Sequence, residues 1–135
     1  MAGHHGSAQV DLADPVALRN LGRAVVALLQ KWNLSEKQQL ALLGSGAHDG
    51  DARSEYQTGE RPLPGTPEVL QRVAYLMGIH GSLRLLFPNR EDLRFSWVRR
   101  RNQAFGGSTP IDIMLRDGAD GIARVWAVLD QQRMQ

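Results

Sequence analysis

An all-α fold is predicted, with an N-terminal helix-turn-helix-like lobe packed on a C-terminal helical lobe. Three observations predict it. Apolar residues recur at steps of three and four over most of the chain. Cap residues and first-turn prolines stand ahead of those runs. No apolar stretch alternates with the period of two that a half-buried strand requires, and no internal repeat is present. At 135 residues the chain can bury a core without staples, as one domain or as two small lobes sharing that core. The lobes are placed at 14–79 and 80–135. Residues 1–13 open with Met1-Ala-Gly-His4-His5-Gly-Ser, small, polar and aperiodic, and read as a disordered arm or a cloning remnant.

Asp14 and Pro15 form a cap and a first-turn proline, and Leu18, Leu21, Val25, Leu28, Leu29 and Trp32 follow at helical spacing. The spacing predicts a helix from about Asp14 to Trp32 with one apolar face. Ser35 and Gln38 read as a capping box ahead of Leu40, Leu42 and Leu43, with Gly44 as the stop. From Gly44 to Gly65 the pattern thins into turn chemistry, and only Ala52 to Gln57 suits a brief helix. Pro62-Leu-Pro64-Gly65 is a rigid connector. Thr66-Pro67-Glu68 opens a helix carrying Val69, Leu70, Val73, Ala74 and Met77 inward as far as Gly78, and a separate short element holds Leu83, Leu86 and Phe87 before Pro88. Asn89 is the expected cap of a helix in which Leu93 and Trp97 share a face. After Gly106-Gly107 come a short helix from Pro110 to about Arg116 and a last one from about Ala119 to Gln132, burying Ile122, Val125, Trp126 and Leu129.

Composition narrows the function classes. Without cysteine there is no disulfide and no thiolate metal site. No apolar run reaches the length of a membrane span, and the N-terminus lacks the organisation of a signal peptide, so the cytoplasm is expected. The histidines, His4, His5, His48 and His80, lack ligand spacing on a common helix face, and neither Gly44-Ser-Gly nor Gly106-Gly107 is followed by the lysine of a phosphate loop. No nucleophile stands with a base. The chain is read as a non-enzyme that needs no cofactor. Its net charge is only +2, but every cation other than Lys31 and Lys37 is arginine. That suits bidentate contacts in a macromolecular interface, and a G+C-rich genome explains it equally well.

Two constellations invite binding. In the first, Ser35 to Leu43, a turn at Gly44 to Gly46 and a second helix within Asp51 to Gln57 form a helix-turn-helix whose candidate DNA contacts are Arg53, Tyr56 and Arg61. Asp51 and Glu55 at its leading end oppose a polyanion, so the lobe reads equally as a dimerisation element without groove contacts. In the second, Trp97 and Arg99-Arg100-Arg101 precede Asn102-x-x-Phe105-Gly106-Gly107-x-Thr109-Pro110-x-Asp112. Asn102 or a glycine is expected in the left-handed region, the paired glycines to permit close backbone approach, and Phe105 to pin the corner into the core. Thr109, Pro110 and Asp112 read as cap, first-turn residue and dipole partner of a new helix. Trp97 is read as core more than interface, and the arginines as an electropositive rim or as a solvated helix end.

That string, Trp97 to Met114, resembles the C-terminal toxin-binding domain of the Xre/MbcA/ParS antitoxins. The order of elements over Leu34 to Leu129 agrees with that family more loosely. The resemblance implies an inhibitor of a co-encoded RES-domain toxin that consumes NAD, acting by occluding the toxin's NAD site. It also implies a homodimer within a hetero-oligomer, and an operator DNA on which the protein represses its own operon. Its site residues are then Trp97, Arg99, Arg101, Asn102 and Phe105 with the tail residues Gln132, Arg133 and Met134, Arg133 pairing with a catalytic acid. A dimeric regulator without a toxin partner is the alternative, and a small helical adaptor with an unrelated partner is a third reading.

Overall fold

The computed structural model describes residues 14–44 and 51–134, which form α1 (Pro15–Lys31), α2 (Glu36–Leu43), α3 (Ala52–Thr58), α4 (Pro67–Leu86), α5 (Glu91–Ser96) and α6 (Pro110–Arg133), with 3₁₀ turns at Trp97–Arg99 and Gln103–Phe105. No strand occurs among the described residues. The arm at 1–13 and most of the turn at Gly44 to Gly46 lie outside them.

The start signals work as read. The Asp14 carboxylate accepts from Val16 N at 2.9 Å. Ser35 and Gln38 complete a reciprocal capping box at 3.1 and 3.0 Å. Thr66 and Thr109 accept from Val69 N and Asp112 N, each with a proline in the first helical turn. Asn89 does not cap α5: Arg90 occupies that position with no side-chain bond to the helix, and its guanidinium pairs with Asp92 instead.

The middle of the chain departs from the expectation. Gly78 does not end a helix, and there is no separate element at Leu83 to Phe87. α4 runs unbroken to Leu86, and its buried stripe is Val69, Val73, Leu76, Ile79 and Leu83, while Ala74 is exposed. A Cβ on Gly78 would stand 2.8 Å from the Trp126 ring, so this glycine is a notch for a neighbouring helix. The boundary at 79/80 therefore falls inside one helix, and a single core of Leu29, Trp32, Leu43, Val73, Ile79, Ile113, Ile122 and others spans both halves.

α6 contains the break expected between Arg116 and Ala119. Gly118 adopts φ 63 and ψ −136, and the second limb folds back toward the first. At Gly121 a Cβ would lie 2.3 Å from the Ile113 carbonyl oxygen, so only glycine permits the approach. Asp117 bridges the bend, pairing with Arg116 at 3.0 Å and Arg124 at 3.4 Å. The returned limb packs along α4, with Tyr75 and Trp126 at 5.7 Å between ring centroids.

Substitutions at two helical glycines should therefore move stability in opposite directions. Gly121→Ala forces two backbone segments apart and is expected to cost about 3 kcal/mol or more. Gly81→Ala, with nothing within 4 Å of its Cβ, should stabilise by about 0.5–1 kcal/mol. Urea denaturation followed by circular dichroism checks both.

Candidate functional site: the arginine rim, the Gly-Gly corner and the terminal turn

After α5 the chain tightens into the 3₁₀ turn at Trp97–Arg99. Val98, which the sequence pattern did not single out, is the fully buried residue here, while Trp97 is half-buried against the core. The three arginines that follow point away from it. Arg99, Arg100 and Arg101 are exposed, and none of their guanidinium groups has an ion-pair or hydrogen-bond partner among the described residues.

The next segment is a closed loop built on Asn102. Its N–H donates to the Ser108 carbonyl at 3.1 Å, and its own carbonyl accepts from Phe105 N and Gly107 N, both at 3.0 Å. Its side-chain oxygen accepts from Ala104 N, also at 3.0 Å. Asn102 is extended, with φ −142, and not left-handed; the positive φ values fall on Gly106 (64) and Gly107 (90). Nothing lies within 4 Å of either Cβ position, so these glycines supply a backbone conformation and not the close approach expected of them. Phe105 is buried and anchors the loop as anticipated, with the Arg124 guanidinium 5.9 Å from its ring centroid.

The tail residues stand elsewhere on the molecule. The second limb of α6 continues to Arg133, roughly 13 Å of helix beyond Arg124, and Gln132, Arg133 and Met134 are all exposed there. Met134 is one of the most exposed large apolar side chains, at 74%. Arg133 is paired with Asp130 one turn back. Arg124, which touches Phe105, lies on the same limb as the tail and is the connection between the corner and the terminal turn.

The candidate DNA contacts are used internally. The Arg53 side chain is 12% exposed; it bonds the Gln39 amide oxygen at 3.0 Å and approaches Glu36 at 3.9 Å. Tyr56 is buried in the core, and Arg61 pairs with Glu55 at 2.6 Å. Gln39 was missed by the sequence reading. It is a buried polar side chain that donates to the Leu34 carbonyl while accepting from Arg53, and so fastens α2 to the α1–α2 corner and to α3. These placements leave no described cation on α3 directed at a phosphate backbone.

The C-terminal toxin-binding domain of the Xre/MbcA/ParS antitoxins matches residues 82–134, which contain the arginine rim, the corner and all of α6. An uncharacterized protein, y4oB, of Sinorhizobium fredii (strain NBRC 101917 / NGR234) is 31% identical over 82% of this chain and 81% of its own length. The chain belongs to the Xre/MbcA/ParS antitoxin family. No solved structure matches it. For an antitoxin of this family the partner is a toxin, and the matched span begins near the end of α4, so the toxin-binding domain shares that helix with the preceding half of the chain. No described helix of the antitoxin is long and apolar enough to cross a membrane.

Two measurements probe the region around this domain. Asn102→Ala removes one side-chain acceptor from the closed loop and should cost about 1 kcal/mol in denaturant unfolding. His80, next to the matched span, has its pKa lowered by burial and then by the Arg84 and Arg94 charges. The unfolded chain therefore binds a proton at His80 before the folded chain does, and the stability present above the ordinary value of 6.5 is lost as pH falls through it. The melting temperature should decline from about pH 7.5 to about pH 5.5, and His80→Gln should flatten that decline.

Proposed function

We propose that this antitoxin neutralises a co-encoded RES-domain toxin by covering the entrance to its NAD site and obstructing the pocket. The observation that carries the reading is the run Arg99 to Arg101. Most other described arginines of the chain are committed to a carboxylate or a carbonyl, as at Arg23, Arg53, Arg61, Arg72, Arg90, Arg94, Arg116, Arg124 and Arg133. Three consecutive guanidinium groups without partners among the described residues, inside the matched toxin-binding domain, are available to acidic groups on another protein. Trp97 supplies a half-buried aromatic edge beside them, and Asn102 and Phe105 hold the corner rigid, which lowers the entropic cost of association.

In this proposal the terminal turn is the obstructing element. Gln132 and Met134 enter the NAD pocket, and Arg133 exchanges Asp130 for an acid of the toxin. The inhibitor performs no reaction; it removes a substrate from reach. Support for a plug at this end comes from the exposure of Met134 and from the helix continuing past Leu129, the last core residue.

The test is titration of the purified co-encoded toxin with this chain, followed by NAD consumption and by complex formation on a sizing column. Arg99→Glu with Arg101→Glu should weaken the complex by about two orders of magnitude or more, while the melting temperature stays within about 2 °C. Truncation after Leu129 should leave a complex that still consumes NAD. Full inhibition by the truncated chain would reject obstruction by the tail and leave the arginine rim as the inhibitory surface. Absence of any complex with the intact chain would reject the toxin assignment itself.

A further inference from the structure

α4 carries a second stripe that α1 and α5 flank without closing, leaving Arg84 and Leu85 exposed. Met77, His80, Gly81, Arg84 and Leu85 fall at steps of three, one, three and one, the spacing with which one helix packs on another, and Pro88 follows just past the helix end. They line two adjoining clefts that share Arg84, one of about 350 Å³ between α1, α4 and α5 and one of about 430 Å³ toward Pro88. The stripe extends over roughly 12 Å of helix.

Its chemistry is lopsided. The floor is small and apolar: Ala24 and Ala27 of α1 close one side, Phe95 of α5 the other, and Gly81 has no atom within 4 Å of its Cβ position. Leu85, at 66% exposure, stands open to solvent within it. Every charged residue lining either cleft is cationic: Lys31, Arg84 and Arg94. Lys31 lies 5.5 Å from the Phe95 ring centroid, and His80 stacks on the same ring at 5.7 Å. Arg94 is held by the carbonyls of Phe87 and Pro88, whereas Arg84 has no ion-pair partner among the described residues.

We propose that this groove seats an amphipathic helix of a protein partner, with an apolar edge lying on Ala27, Gly81 and Leu85 and carboxylates on its flanks meeting Lys31 and Arg84. The small floor residues let a helix backbone come close, and the cationic rim selects an acidic helix over a basic one. A nucleic acid could meet the cationic rim, but its backbone would leave the apolar floor and Leu85 uncovered, so it is disfavoured. A second copy of this chain is the competing occupant, decided by the oligomeric state of the chain alone. The groove shares no residue with the Arg99–Arg101 rim, although Arg84, Leu85, Pro88 and Arg94 fall within the matched span, and the assignment does not use the toxin's identity.

The test uses the full chain and a synthetic helical peptide of about three to four turns, with leucines at helical spacing and glutamates elsewhere. A counterpart carrying lysine for every glutamate is the control. Backbone amide shifts and fluorescence anisotropy should show the acidic peptide bound along α4 and the basic one at least tenfold weaker. Arg84→Glu and, separately, Leu85→Glu should each weaken the acidic peptide about tenfold or more, with unchanged circular dichroism. Equal binding of both peptides, no binding, or indifference to Arg84→Glu overturns the proposal. Light scattering is the third readout: a dimer of the chain alone that Leu85→Glu dissociates would assign the face to self-association and overturn it too.

Discussion

The return of the second limb of α6 onto α4 is the constraint from which the rest of this molecule follows. It requires two glycines in α6 and one in α4, each for a different reason. Gly118 supplies a backbone angle closed to other residues, Gly121 lets the limb pass the Ile113 carbonyl, and Gly78 receives Trp126. With the limb in place, Ile122, Val125 and Leu129 complete the core, Arg124 reaches the Phe105 ring, and the terminal turn is carried to the surface. Without it the Gly-Gly corner would lose the cation resting on its aromatic anchor, and the tail would have no fixed direction.

Charge is sorted along the same architecture. Asp117 draws Arg116 and Arg124 across the bend, and the hydrogen bond from Arg116, aided by both charges, holds its carboxyl below the usual range. Arg53 and Arg72 are spent on α2, one on the Gln39 amide and the other on carbonyls at its end. Among the described residues, the cations left without an ion-pair or hydrogen-bond partner, Arg19 and Lys37 apart, collect in two places, the Arg99–Arg101 rim and the α4 groove around Arg84. A modest net charge thus conceals two localised positive surfaces, and both proposals rest on them.

Much of this was legible in the residues because helix starts are local chemistry. Asp14, Ser35, Thr66 and Thr109 each cap by bonds to amides two or three positions away, so their meaning survives without knowledge of the fold. The terminal break was legible as well, since Gly118 falls where the apolar spacing itself is interrupted between Leu115 and Ile122. Gly78 was misread because a stop and a notch look alike until the partner, Trp126, comes from 48 positions further along. Val98 and Gln39 escaped for a similar cause: one sits in a 3₁₀ turn that breaks the 3.6 period, and the other is polar and buried only through tertiary bonds to Leu34 and Arg53. At the candidate site the family signature was visible, but the division of labour was not. Asn102 organises by hydrogen bonds while the glycines take the unusual angles, and spacing alone does not separate those roles.

The unbroken passage of α4 bears on how such inhibitors diversify. Recombination that transplanted only residues 82–134 onto a new N-terminal module would leave behind Tyr75 and Gly78, the bed on which Trp126 rests. The recognition half is therefore not a free-standing cassette. A change of partner is then accommodated more readily by surface positions on this shared scaffold than by exchange of the C-terminal half alone.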